Sequence, residues 1–232
     1  MLVFQQKRLL MKQYPPLLAG CALMDGILPD DISGLLSCLE AQLLTYQRDN
    51  VILQQDDPAR FFGVVLSGGV QVLRGDVLGS HTIIAALGPG ELFGETFACA
   101  SLPALPVNVI ATADSTVLLF EHERVIKACK RGCAAHSQLI VNLLRITAQK
   151  NLLLSRKLEI VMQRTTRDKL MAYLHAQAEQ AHSSRFRIPF DRQQLADYLA
   201  VDRSAMSNEL SKMQKDGLIT YHKNEFTLNG ST

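Results

Sequence analysis

Short runs of β-branched and aromatic residues alternate with glycine-rich turns between Val51 and Phe120. Five such runs stand out, at residues 61–66, 70–73, 82–84, 107–111 and 116–120. Turn signals such as Gly68-Gly69 and Gly88-Pro89-Gly90 separate them. Strands at this spacing, with no long helix between them, predict an antiparallel sandwich or barrel. The uncharged stretch 96–113 contains two prolines and is interpreted as buried strands and a turn, not as a membrane span.

Helical patterns flank this strand-rich segment. Before Val51, apolar residues from Ile32 to Leu39 follow helical spacing. Between residues 134 and 162 there is no glycine or proline, and roughly 29 helical residues would extend about 44 Å. An apolar ladder with steps of four and three residues runs along this segment: Ile140, Leu144, Thr147, Asn151, Leu154, Leu158 and Val161. This spacing predicts a coiled-coil seam in which Asn151 pairs with its own copy. The alternative is a long helix packed on its own sheet, with Asn151 at its edge.

The C-terminal segment has the pattern of a helix-turn-helix followed by a β-hairpin wing. A helix from Gln193 to Leu199 and a second from Arg203 to Lys215 are joined by a three-residue turn. Ala196 is the small residue expected where the two helices cross, and Asp202 is placed to cap the second helix. Two apolar runs, 218–221 and 226–228, predict the hairpin wing.

The second helix of such a motif presents its first residues to base edges in the DNA major groove. The predicted base-reading residues are Arg203, Ser204, Ser207 and Asn208. The predicted phosphate contacts are Arg192, Gln193, Lys212 and Lys223. The alternative is a protein-binding or effector-free winged-helix module that does not read DNA.

Charge is distributed unevenly, although the net charge of the chain is only +2. Residues 1–120 carry a net charge of −5, residues 121–163 a net charge of +5, and residues 164–232 a net charge of +2. The basic second half is consistent with a polyanionic partner. Five cysteines, an odd number, and the lack of a signal-peptide pattern favour reduced thiols and a cytoplasmic protein.

The order of these parts resembles the Crp/Fnr family of bacterial transcription regulators. The resemblance rests on Gly68, Gly79, the run Gly90-Glu91-Leu92-Phe93-Gly94-Glu95, the long helix, and the helix-turn-helix segments 191–196 and 203–207. It implies an α+β protein with three parts. These are an antiparallel β-roll (a double-stranded β-helix) sensor with N-terminal helices at 1–120, a dimerisation helix at 121–163, and a winged helix-turn-helix at 164–232. The implied partners are a second copy of the chain, a two-fold symmetric double-stranded operator, an unknown small-molecule effector and, for an activator, RNA polymerase.

The effector is where the sequence departs from the family's pattern. In family members that bind cyclic AMP, an Arg-Ser pair ten residues after the Glu of the Gly-Glu motif holds the phosphate. Leu105 and Pro106 occupy those positions here, so we expect no cyclic AMP binding of the usual kind. Any effector is expected between the roll and the long helix, near Glu95, Leu105, Pro106, Asn151 and Ser155.

Other cofactors and enzymatic activity have little support in the sequence. The spacing of Cys21 and Cys38 does not match the cysteine pattern of members with an iron–sulfur cluster, and Cys129 and Cys133 lack further metal ligands nearby. Cys99 and His81 leave a weak haem alternative open. No set of histidines like that of a metal-binding cupin and no catalytic triad is present, so we expect no metal, no catalytic residue and no enzyme.

Overall fold

The computed structural model describes residues 18, 20–75, 81–127 and 133–230. Contacts group the chain into two compact units, one ending at Gln149 and the other beginning at Lys150. The expected three-part division, with boundaries after residues 120 and 163, remains a prediction.

The first unit is a β-roll flanked by helices. Its helices are a 3-10 turn (Ala22–Met24), α1 (Pro29–Cys38), α2 (Glu95–Cys99), α3 (His122–Ile126) and the first part of α4 (Ala134–Val161). Its strands are β1 (Gln42–Tyr46), β2 (Val51–Leu53), β3 (Phe61–Ser67), β4 (Val70–Gly75), β5 (His81–Leu87), β6 (Leu92–Phe93), β7 (Asn108–Ala111) and β8 (Ser115–Glu121). They form two antiparallel sheets with the orders β1-β8-β3-β6 and β2-β7-β4-β5.

The β1-β8-β3-β6 sheet is buried on both faces, which explains the continuous apolar runs in β3 and β8. Val65, Val117 and Leu119 face the second sheet and join one apolar cluster. Their neighbours Val64 and Leu118 join another cluster, which includes residues of α1 and α4. Because successive strand residues point to opposite faces, a doubly covered strand needs apolar residues at every position.

The second unit is a winged helix. It contains the end of α4, then α5 (Thr166–Ala181), β9 (Arg185–Arg187), α6 (Arg192–Leu199), α7 (Arg203–Lys215), β10 (Ile219–His222) and β11 (Glu225–Leu228). The wing is a three-stranded antiparallel sheet in the order β10-β11-β9. The predicted α+β class with an antiparallel roll, a long helix and a winged helix-turn-helix is therefore confirmed.

Two local predictions are wrong. Gln42–Tyr46, expected to be helical, is strand β1, paired with β8 from Gln42 opposite Leu119 to Tyr46 opposite Ser115. The start of the uncharged stretch 96–113, interpreted as strands and a turn, instead lies in the short helix α2 (Glu95–Cys99). Gly94 precedes α2 with a φ of 77°, a left-handed conformation that glycine adopts without a Cβ clash.

Helix α4 has two apolar faces with different surroundings. Ala135, Leu139, Leu143 and Ile146 pack into the core of the first unit, as expected for a helix lying on its own roll. Seam residues Leu144, Leu154 and Leu158 stay 64%, 67% and 56% exposed. The single chain therefore leaves most of the predicted seam uncovered.

Candidate DNA-binding surface and sensor cassette

Capping interactions fix both helices of the helix-turn-helix. The Asp191 carboxylate accepts the Gln194 backbone N–H at 2.8 Å, and the Gln194 side chain accepts the Asp191 N–H at 2.9 Å. This reciprocal capping box starts α6. The Asp202 carboxylate accepts the Ala205 N–H at 2.8 Å and starts α7, as predicted. Hydrogen bonds from the Ser204 hydroxyl and the Ala205 N–H lower the pKa of Asp202.

The buried face of the two helices determines which side chains of α7 point outward. The fully buried residues of this face are Leu195, Ala196, Leu199, Met206, Leu210 and Met213. Arg203, Ser204 and Asn208 are exposed, and Ser207 is half-buried. Ser204 and Asn208 lie on the face opposite the buried residues, whereas Arg203 is exposed as the first residue of α7. The structure thus brings all four predicted base-reading residues into the first half of α7.

The two serines already make local hydrogen bonds. The Ser204 hydroxyl donates to Asp202 at 2.5 Å, and the Ser207 hydroxyl donates to the Arg203 carbonyl oxygen at 2.9 Å. Their oxygens retain capacity as acceptors. The longer side chains, Arg203 and Asn208, are the ones suited to bidentate base contacts.

An ion-pair network that the sequence did not reveal holds α7 against α5. Arg167 donates to Glu209 at 2.5 Å and to Asp216 at 2.6 Å, and these two hydrogen bonds raise the pKa of Arg167. Lys169 donates to the carbonyl oxygens of Leu199 and Ala200 at the end of α6. The pairing partners lie 30 to 49 residues away in sequence, so no local pattern could identify them.

The four predicted phosphate contacts are not equivalent. Gln193 is exposed and donates to Asp197 at 2.9 Å, and Lys212 is exposed with its ammonium 3.7 Å from Glu209. Lys223 is exposed in the wing turn with a φ of 53°. Arg192 differs, because it is half-buried and its guanidinium carbon lies 4.8 Å from the centre of the Tyr221 ring.

The residues expected to contact an effector differ in their surroundings. Glu95 is buried at the start of α2, and Leu105 is only 2% exposed within the apolar cluster between the two sheets. Backbone hydrogen bonds pin Leu105, whose N–H donates to Asp57 at 2.8 Å and whose carbonyl accepts from Asp56 at 2.9 Å. Pro106 is half-buried. Asn151 and Ser155, the effector contacts predicted on α4, are exposed in the second unit.

Among the described residues, no cluster of three or more His, Cys, Asp or Glu side chains could hold a metal ion. Desolvation, followed by the nearby Glu95 carboxylate, raises the pKa of Cys99. Cys129 and the His81 side chain lie outside what the structure describes.

Two family models match the chain. The cyclic nucleotide-binding domain model matches residues 43–131, and the Crp-like helix-turn-helix domain model matches residues 168–229. Together these regions cover more than half of the sequence, in the order of the two units. The chain belongs to the Crp/Fnr family.

Known proteins similar to this regulator are consistent with that assignment. The cyclic AMP receptor protein of Thermus thermophilus is 24% identical over 201 residues, which cover 86% of this chain and 88% of that protein. The c-di-GMP responsive global regulator CLP of Xanthomonas campestris has a TM-score of 0.50 at 19% identity, covering 87% of this chain and 99% of CLP. The sensor domain of the transcriptional regulator DNR of Pseudomonas aeruginosa also scores 0.50 at 19% identity, covering 61% of this chain and 90% of that domain. These two structures show a shared fold.

Family membership means that the protein is a DNA-binding transcription regulator and not an enzyme, as the sequence predicted. Among the helices that the structure describes, none is both long and apolar enough to cross a membrane.

Proposed function

We propose that this regulator acts as a homodimer that reads a two-fold symmetric operator, with α7 of each copy in the major groove. The observation that carries the proposal is the exposure of Arg203, Ser204 and Asn208 in the first half of α7, a helix that Met206, Leu210 and Met213 hold in the core of the second unit. A helix fixed in this way presents its side chains to base edges with little loss of conformational entropy on binding.

Base reading is assigned to Arg203, Ser204, Ser207 and Asn208. The Arg203 guanidinium is suited to guanine O6 and N7, and the Asn208 carboxamide is suited to adenine N6 and N7. Phosphate contacts are assigned to Gln193, Lys212 and Lys223, which are exposed around α6, α7 and the wing.

Dimerisation is the second part of the proposal. The uncovered apolar seam of α4 supports it, because exposed leucines at 64%, 67% and 56% on one helix leave apolar surface in water. The Asn151 side chain, exposed on the same helix, is proposed to set the register of the pair.

Control by a small-molecule effector other than cyclic AMP is the third part. The buried Leu105 supports the exclusion of cyclic AMP, since it leaves no cationic side chain at the position of the family's phosphate clamp. The contacts proposed for the effector remain Glu95, Leu105, Pro106, Asn151 and Ser155. RNA polymerase becomes a further partner if the regulator activates transcription.

The test is fluorescence anisotropy with a symmetric duplex that the wild-type protein has selected from random DNA, compared with its scrambled sequence at the same salt concentration. We expect at least a 1,000-fold preference, roughly the lower limit for specific regulators. Arg203→Ala should remove most of that preference. Lys215→Ala, at the other end of α7, is the matched control that removes an exposed charge. Equal affinity for both duplexes would instead favour a winged helix that does not read DNA sequence.

A further inference from the structure

We propose that Arg192 is a positioning residue that locks the wing onto the helix-turn-helix, in place of the phosphate contact predicted from the sequence. This inference rests on the proposed DNA-reading function. The guanidinium carbon of Arg192 lies 4.8 Å from the Tyr221 ring centre and 5.4 Å from the Phe226 ring centre. Both distances are within the range of a cation–π interaction, and both rings belong to the wing.

The aromatic surface under Arg192 is continuous. The Tyr221 and Phe226 rings stack at 5.6 Å with an interplanar angle of 24°, and Phe226 stacks on Phe186 at 6.4 Å and 15°. A planar guanidinium suits such a surface better than an ammonium does. Desolvation lowers the pKa of Arg192, as expected for a guanidinium covered by rings. A side chain engaged in this way is poorly placed to neutralise a phosphate.

The first turn of α6 makes Arg192 a rigid anchor. Arg192 is the first residue of α6, directly after the capping box of Asp191 and Gln194. That box fixes the backbone from which the side chain extends. The stack on Tyr221 therefore transmits the position of α6 to the wing.

A second connection joins the wing turn to the segment before α6. The Ile188 N–H donates to the Asn224 carbonyl oxygen at 2.9 Å, and the Asn224 side-chain amide donates to the Ile188 carbonyl oxygen at 3.2 Å. Lys223, next to Asn224, has a φ of 53°, which a lysine rarely adopts. The stack and this pair of hydrogen bonds together hold Lys223 at the tip of the wing, where it can meet a phosphate.

The first test measures amide hydrogen exchange of the full-length protein without DNA. Arg192→Ala and Tyr221→Leu should each accelerate exchange at the wing amides by about 2- to 30-fold, the range of one cation–π interaction. The acceleration in the double variant should be smaller than the product of the two single effects, since the two changes share the Arg192–Tyr221 contact. Tyr221→Phe keeps the ring and should match the wild type. Arg185→Ala is the control for loss of a wing arginine: it removes a 77% exposed guanidinium with its 3.6 Å ion pair to Glu225 and should accelerate exchange less than Arg192→Ala does.

The second test measures affinity for the selected duplex as a function of salt. In the wild type, Lys223→Ala should reduce the slope of log affinity against log salt concentration by about one unit. In the Arg192→Ala background the same change should reduce this slope less, because Lys223 is no longer held at the tip of the wing. Two results together would overturn the proposal. They are wing-amide exchange rates in Arg192→Ala equal to those of the wild type, and a reduction in the salt dependence of DNA affinity that adds to the reduction caused by Lys223→Ala. Arg192 would then be a phosphate contact. If the wild type selects no duplex, the DNA-reading function fails, while the exchange experiment still tests the lock.

Discussion

Leu154→Glu in α4 is expected to convert the dimer into monomers. At about 100° per residue, Leu144, Leu154 and Leu158 fall within an arc of about 80° on the helix surface. Leu154 is 67% exposed in the single chain, the highest value of the three. A partner helix seated on this arc would cover Leu154 and its symmetry mate near the centre of the seam.

The exposed fraction sets the size of the effect. Full burial of a leucine side chain contributes about 1.5–3 kcal/mol, so the exposed two-thirds of Leu154 corresponds to about 1–2 kcal/mol per copy. Two copies give about 2–4 kcal/mol, which raises the dimer dissociation constant by about 30- to 1,000-fold. Repulsion and desolvation of the two new carboxylates act in the same direction.

Sedimentation velocity across a concentration series measures the dissociation constant directly. Leu28→Glu is the matched control, because Leu28 is 68% exposed but precedes α1 and lies outside the seam. It should leave the dimer unchanged. If Leu154→Glu has the same dissociation constant as the wild type, the seam is not the dimer interface, and any dimer contact lies elsewhere on the chain. DNA affinity should fall in parallel with dimerisation, since one winged helix covers only a half-site.

Three further outcomes are expected. Cyclic AMP should leave the Tm unchanged, whereas a bound ligand at 100 times its Kd stabilises by about 2.7 kcal/mol, so a dose-dependent rise in Tm would contradict the exclusion of cyclic AMP inferred from Leu105 and Pro106. Asn208→Arg should change the preferred base at one position of each half-site without changing the others, as measured by selection from randomised duplexes; unchanged preference would remove Asn208 from base reading. Because the pKa of Asp202 is lowered in the folded state, its cap stabilises α7 at neutral pH and this contribution is lost as the pH falls through that pKa. Thermal melts should therefore show a smaller loss of stability on acidification for Asp202→Asn than for the wild type, and equal losses would contradict this role.

The sequence predicted elements whose signals are local. Helix α7 begins and ends at the predicted residues, because the Asp202 cap starts it and Gly217, with a φ of 75°, follows its end. Strand β1 was missed because its identity depends on pairing with β8, more than 70 residues away. The sequence of Gln42–Tyr46 follows a helical segment and does not by itself indicate that it pairs with a distant strand.

The role of a side chain was harder to predict than its position. The first helix of the helix-turn-helix was predicted to begin at Gln193, one residue after its observed start at Arg192, and the residue type of Arg192 alone suggested a phosphate contact. The rings of Tyr221 and Phe226 support the positioning role proposed for Arg192, and they reach this residue only when β10 and β11 fold back over α6. The network of Arg167 with Glu209 and Asp216 was unpredictable for the same reason.

Leu105 occupies the position of the phosphate-binding arginine in cyclic AMP-binding family members, and here its side chain is part of the core. It packs between the two sheets at 2% exposure, so an arginine on the same backbone would place an unpaired charge among valines and leucines. Residues 1–120 also carry a net charge of −5, which disfavours an anionic ligand at long range. Packing and charge thus both oppose a cyclic nucleotide. The effector proposed for this roll is therefore expected to lack the anionic phosphate of a cyclic nucleotide.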